Sequence, residues 1–154
     1  MKAIVRKYSV ALVKESAHKY ADIPTSLNTP EKVVKYADSV LNFDRLPVEN
    51  FVLVPVDNKL KPLGVFVVTV GTVDASIVSS RDVFQAALLC NASSIFILHN
   101  HPSGDPTPSK EDIEVTDRLK KAGELMRIPL LDHVIVGEKR YYSIVSDTNG
   151  IIMC

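Results

Sequence analysis

Two short stretches of the chain are apolar without the alternation of a half-buried strand: residues 63–70 (LGVFVVTV) and 94–98 (SIFIL). Runs of this length, bounded by polar or turn residues, read as strands covered on both faces. The longer run is placed at the centre of a sheet and ended by Gly71. Further strands are expected over residues 51–56, 130–136 and 140–145, with 57–59 as a turn and 137–139 as a hairpin tip. Residues 4–14 are mixed, with β-branched and aromatic members, and read as an N-terminal strand, followed by an irregular polar stretch over 15–27.

Helices fall between these strands. Thr29 is an N-cap, Pro30 suits the first helical position, and Val33, Val34, Ala37, Val40 and Leu41 form one apolar stripe before Pro47 closes the segment. Ser79 or Ser80 opens a second helix running through Asn91, with Val83, Ala86, Ala87, Leu88 and Cys90 on its buried side. A third helix runs from Ser109 to about Met126. Strands interleaved with three helices predict an α/β fold, a mixed sheet flanked by helices. The organisation expected is a strand and irregular segment over 1–28, the domain proper over 29–146 and a tail over 147–154.

Composition narrows the function classes. At 154 residues the chain is about one domain. With 46% hydrophobic and 23% charged residues it is neither disordered, collagenous nor a coiled coil. Eighteen basic residues balance eighteen acidic ones, so the excess of cationic charge that drives non-specific nucleic-acid binding is missing. Trp is absent, and no basic-aromatic stripe offers a stacking platform. Two cysteines, Cys90 and Cys154, do not make a disulfide framework and suit a reducing compartment. The first residues lack an apolar signal core, and no window approaches the roughly 18 apolar residues of a membrane span. A cytoplasmic chain without a membrane partner is expected.

The chemistry concentrates where the 94–98 run ends, in His99-Asn100-His101-Pro102-Ser103-Gly104-Asp105-Pro106-Thr107-Pro108-Ser109-Lys110-Glu111-Asp112. Side chains two apart on an extended chain share a face, so His99 and His101 present two imidazoles together. Asp112 lies in the first turn of the third helix, across a loop stiffened by three prolines. Two histidines and one carboxylate leave a fourth position for water, the pattern of a catalytic zinc site. Each feature has a plainer use as well. Ser109-x-x-Asp112 is an ordinary helix-capping pair, and Asn100, Ser103, Gly104 and Asp105 are common turn residues. Asp105 is a competing carboxylate. His133 reads as a partly buried histidine that could support the ligands from behind. His18 reads as exposed, and Cys90 as an inert thiol in the core.

The His99-x-His101, seven residues, Ser109-x-x-Asp112 pattern resembles the HxH-x7-SxxD signature of the JAMM (MPN+/JAB) metalloprotease superfamily. The HNHPSGDPTPS wording is similar to its RadC branch, as are Gly71-Thr72, Arg81-Asp82-Val83-Phe84 and Leu131-Asp132-His133-Val134-Ile135-Val136-Gly137. The likeness covers roughly residues 1–146 and, among RadC proteins, points to the shorter ones that are mostly JAB domain. It implies a JAB/MPN, cytidine-deaminase-like architecture and one zinc ion held by His99, His101 and Asp112. It implies Ser109 as a donor to the oxyanion and, from its place just before the first core strand, Glu49 as general base. The spacing favours Asp112 over Asp105. The activity implied is hydrolysis of an amide bond in a peptide or protein substrate. A DNA-repair association comes with the family by name alone. A metal-dependent nuclease and a non-catalytic, zinc-stabilised binding module are the other readings. Nucleases often use two metals, and ligands for one are found here. A purely structural site would have no use for Ser109 or Glu49.

Overall fold

The computed structural model describes residues 9, 11–17, 21–71 and 78–152. Among the described residues, three α-helices, α1 (Pro30–Leu41), α2 (Ser80–Leu89) and α3 (Lys110–Met126), accompany six strands. The strands are β1 (Asn50–Val56), β2 (Phe66–Val70), β3 (Ser94–Asn100), β4 (Leu130–Val136), β5 (Arg140–Ser143) and β6 (Thr148–Ile151). They form one mixed sheet in the order β2-β1-β3-β4-β5-β6. Among the described strands only β3 and β4 run parallel; a parallel pair needs a crossover, and α3 supplies it. No helix among the described residues is long and apolar enough to cross a membrane.

The helices start where local chemistry says they should. Thr29 is extended (φ −141°), accepts from the Lys32 amide at 3.4 Å and is followed by Pro30 at the first turn. Ser109 and Asp112 form a reciprocal capping box on α3.

Alternation along the strands divides the interior into two cores. Phe51, Leu53, Ile95 and Ile97 pack with Val83, Phe84 and Ala87 of α2 and Val115 and Leu119 of α3. Val52, Val54, Phe96, Leu98, Val134 and Val136 pack on the opposite face with Val33, Val34 and Ala37 of α1. The central strands are buried on both faces because helices cover both, which is why β3 shows an unbroken apolar run.

Several expectations need correction. The 63–70 run forms β2 only over Phe66–Val70, and β2 is an edge strand rather than a central one. Phe66 and Val68 pack inward, but Val67 and Val70 are 45% and 66% exposed. In this run apolar composition reports neither full burial nor how many neighbours the strand has. Residues 11–14 have no regular structure; the rest of the expected 4–14 strand, apart from the likewise irregular Ser9, lies outside the described residues, as do His18 and Cys154. Strand β5 ends at Ser143, short of 145, and the expected tail contains β6. There Tyr141 pairs with Gly150, and the tyrosine ring occupies the space a side chain at Gly150 would need. Val40 and Leu88 are exposed, and Phe84 takes the core place on α2. Cys90 caps the C-terminus of α2 and is only half-buried; burial still pushes its thiol pKa up.

Candidate metal centre

Strand parity places the site. On β3, Ile95 and Ile97 face α2 and α3, so His99 continues on that face and Leu98 on the other. On β4, Val134 and Val136 face α1, which turns His133 toward α3. Parallel pairing sets Ile97 beside His133 and His99 beside Ile135, bringing the two imidazoles into diagonal contact. On α3, Asp112 and Thr116 are one turn apart and both buried, on the side that meets the sheet.

The three residues expected as ligands meet. His99 Nε2 lies 3.0 Å from Asp112 Oδ1 and 3.0 Å from His101 Nε2; His101 Nε2 lies 3.5 Å from Asp112 Oδ2. One donor atom from each falls within 4.8 Å of the others. Two imidazole nitrogens so close, both aimed at a carboxylate, need a proton or a cation among them. The donor set therefore fits a divalent cation. Asp105 does not compete: its carboxylate accepts from the Thr107 amide and hydroxyl, while its backbone carbonyl takes up His101 Nδ1 at 2.8 Å.

Neighbours orient each ligand. Asp112 Oδ2 accepts from the Ser109 amide and from its hydroxyl, both at 2.7 Å. The expected oxyanion donor therefore spends its one hydroxyl proton on the carboxylate, and helping an oxyanion requires that bond to be released. Behind His99, Nδ1 contacts His133 Nε2 at 2.8 Å, and His133 Nδ1 contacts Thr116 Oγ1 at 2.6 Å. Phe51 lies near-parallel to His99, with centroids 6.0 Å apart, and edge-on to His133. His101 instead sits in a loop tied to β4: its amide donates to Val136 O, and Glu138 N donates to Gly104 O. Gly104 is in the left-handed region (φ +82°), and Gly137 lets the two loops touch at backbone level.

Charge follows this geometry. Burial pushes Asp112 up, but hydrogen bonds from His101, His99 and Ser109 outweigh it and hold the carboxyl far below the usual carboxylate range. Burial lowers His101, yet Asp112, the Asp105 carbonyl and Glu49 together raise it above its ordinary value. His133 is driven well below its ordinary value, first by burial and then by the nearby His99.

Glu49, the expected general base, is half-buried just ahead of β1 and close enough to act on His101. Its backbone carbonyl accepts from Gly71 N at 2.8 Å. Asn100, read as a turn residue, does more than turn the chain. Its Oδ1 accepts from Asn50 N at 2.8 Å and its Nδ2 donates to Val48 O at 3.1 Å, so it grips the backbone on either side of Glu49. A cleft of about 390 Å³ opens beside His101, lined by Asn100, Ser103, Gly104, Glu138, Lys139, Phe43 and Leu46 among others. A larger apolar groove between α2 and α3 is lined by other residues, including Phe84, Leu88, Leu125 and Met126.

Residues 27–150 match the family model described as "RadC-like JAB domain". A UPF0758 protein of Thermotoga maritima is 43% identical over 143 residues, covering 93% of this chain and 63% of the relative. One from Halalkalibacterium halodurans is 48% identical over 118 residues, covering 77% of this chain and 50% of the relative. One from Methanosarcina acetivorans is 48% identical over 96 residues, covering 62% and 42%. The chain thus spans no more than 63% of the length of these relatives.

Proposed function

The chain belongs to the RadC-like JAB-domain family, and on that premise we propose that it is a zinc-dependent amide hydrolase, a peptidase or isopeptidase using one zinc ion. Family and site together fit a metal-dependent hydrolase. The observation that carries the finer reading is the meeting of His99 Nε2, His101 Nε2 and Asp112 at 3.0–3.5 Å. Zinc takes imidazole and carboxylate ligands, and one donor atom from each of these three residues lies within 4.8 Å of the others, so the set would hold a single ion. Three protein ligands leave a fourth position for solvent, as catalytic sites do.

Zinc supplies Lewis acidity: it lowers the pKa of water to about 7 and polarises a carbonyl. This chain's residues do the rest. Glu49, on the His101 side, takes the proton of the attacking water and returns it to the leaving amine. Ser109 holds Asp112 in place and, on releasing that bond, donates to the oxyanion. Asn100 keeps Glu49's backbone at the end of β3. The substrate, a peptide or protein, enters along the cleft beside His101. The balanced charge and missing aromatic stripe disfavour a nucleic-acid substrate.

Metal analysis of the purified chain should give about one zinc, and a chelator should abolish cleavage of a peptide or isopeptide library. Glu49→Gln should keep the zinc and lose about 10²- to 10⁴-fold in turnover. Undiminished activity in that variant removes Glu49 from the mechanism. Cleavage of DNA alone favours a nuclease, and unfolding on chelation with no cleavage of either substrate favours a zinc-stabilised binding module.

A further inference from the structure

The hydrogen bonds behind His99 can run in only one direction. Thr116 Oγ1 lies 2.6 Å from the Asp112 backbone carbonyl. A carbonyl has no proton to give, so the threonine's single hydroxyl proton points there. His133 Nδ1, 2.6 Å from the same Oγ1, must therefore be the donor. A neutral imidazole carries one N–H, which leaves His133 Nε2 bare and accepting. Its partner at 2.8 Å is His99 Nδ1, which must then carry the proton. With a cation in place of the proton that the three donors otherwise share, what remains on His99 is the lone pair of Nε2, the atom that faces Asp112 and His101. His99 and His133 are 0% exposed and Thr116 1%, so this order does not rest on contact with bulk solvent.

We propose that Thr116 and His133 are positioning residues whose hydrogen-bond relay, anchored on the backbone carbonyl of Asp112, locks His99 in its Nδ1–H form and so presents the Nε2 lone pair to the divalent cation. The backbone of one ligand thereby sets the tautomer of another. The inference rests on reading the three residues as a metal centre, but the relay itself is a property of the metal-free chain. His101 reaches the same Nδ1–H form by a single bond to the Asp105 carbonyl, in an exposed loop. The buried ligand uses a longer device: its Nδ1 meets the His133 imidazole in place of a backbone carbonyl.

The discriminating variant is Thr116→Val, which keeps the shape and removes the hydroxyl. Without its acceptor, His133 Nδ1 sheds the proton, Nε2–H forms and donates to His99 Nδ1, and the proton of His99 moves to Nε2, where it blocks the cation. Nitrogen-15 NMR of the metal-free chain should show Nδ1–H on both imidazoles in the wild type and Nε2–H on both in the variant. Zinc affinity, measured by chelator competition, should fall about 10- to 100-fold, the usual cost of removing an outer hydrogen bond to a ligand. Thr116→Ser should retain both the tautomers and the affinity. An unchanged tautomer pattern in Thr116→Val, or unchanged zinc affinity, overturns the proposal. A wild-type chain that takes up no zinc overturns the metal reading itself, and the metal-free spectra still decide the relay.

Discussion

His99 lies on β3 and His101 just past its end, and both face one cation site, yet they live in different surroundings. His99 is sealed between Phe51, His133 and α3, and its hydrogen bonds stay inside the protein. His101 is partly exposed, held by a loop carbonyl, and borders both Glu49 and the cleft. A buried wall gives a ligand one orientation, because its neighbours are close-packed and leave it no alternative. An open wall admits substrate and lets protons move. The site is thus rigid around His99 and chemical around His101.

Emptying the rigid wall should have the largest effect on stability. Phe51 is fully buried and touches both His99 and His133. Phe51→Ala should cost about 3–5 kcal/mol, read by urea unfolding of the metal-free chain. A cost near zero would mean the wall is not packed. Exchanging the ligands themselves sharpens the comparison. Both His99→Ala and His101→Ala should lose the metal. Only His99→Ala should also weaken the metal-free fold, because it strands the buried Nε2 of His133 at a cost of about 1–3 kcal/mol. His101→Ala leaves the Asp105 carbonyl near solvent and should cost little. Equal costs break the distinction between the two walls.

The open wall has its own support in Asn100. Asn100→Ala removes both grips on the backbone around Glu49 and leaves the buried Asn50 amide without its acceptor. Turnover should drop while zinc affinity stays, since the ligands do not lean on Asn100's side chain. A loss of zinc without a change in turnover per bound zinc would place Asn100 on the rigid side instead.

What could be read from the chain was local. A capping box spans three residues, so Ser109 and Asp112 announce both the start of α3 and the place of the carboxylate. Strand period two puts His99 and His101 together, and Thr29-Pro30 opens α1. What could not be read depends on pairing. His133 is legible as a support for the ligands, but its partners are not: it lies 34 residues from His99 and 17 from Thr116, and the three meet only because β3 and β4 run parallel with α3 across them. Asn100 reaches Asn50 across 50 residues and looks like a turn residue until β1 is laid beside β3. The edge position of β2 follows from strand order, which no local run encodes. Strand β6 is a Thr-Asn-Gly-Ile segment of poor strand propensity, held by pairing with β5.

The smallest effect separates the walls by sign. In the metal-free chain, burial holds His133 below its ordinary pKa. The folded state then resists a proton that the unfolded state accepts near pH 6.5, so this residue takes stability away as pH falls through about 6.5. His101 behaves in the opposite sense. Its pKa is raised, so its contribution is fully present below about 6.5 and is lost as pH rises through the higher folded value. Asp112, held low, enters only in stronger acid, where its contribution disappears as pH falls below the ordinary carboxylate range. Between pH 8 and 5 the two histidines therefore oppose each other. Urea midpoints of the metal-free chain measured across that range should fall more steeply toward acid in His101→Gln than in the wild type, and less steeply in His133→Gln. Slopes that move the same way in both variants would show that the two histidines share one environment, and the division of the site into a sealed and an open wall would be lost.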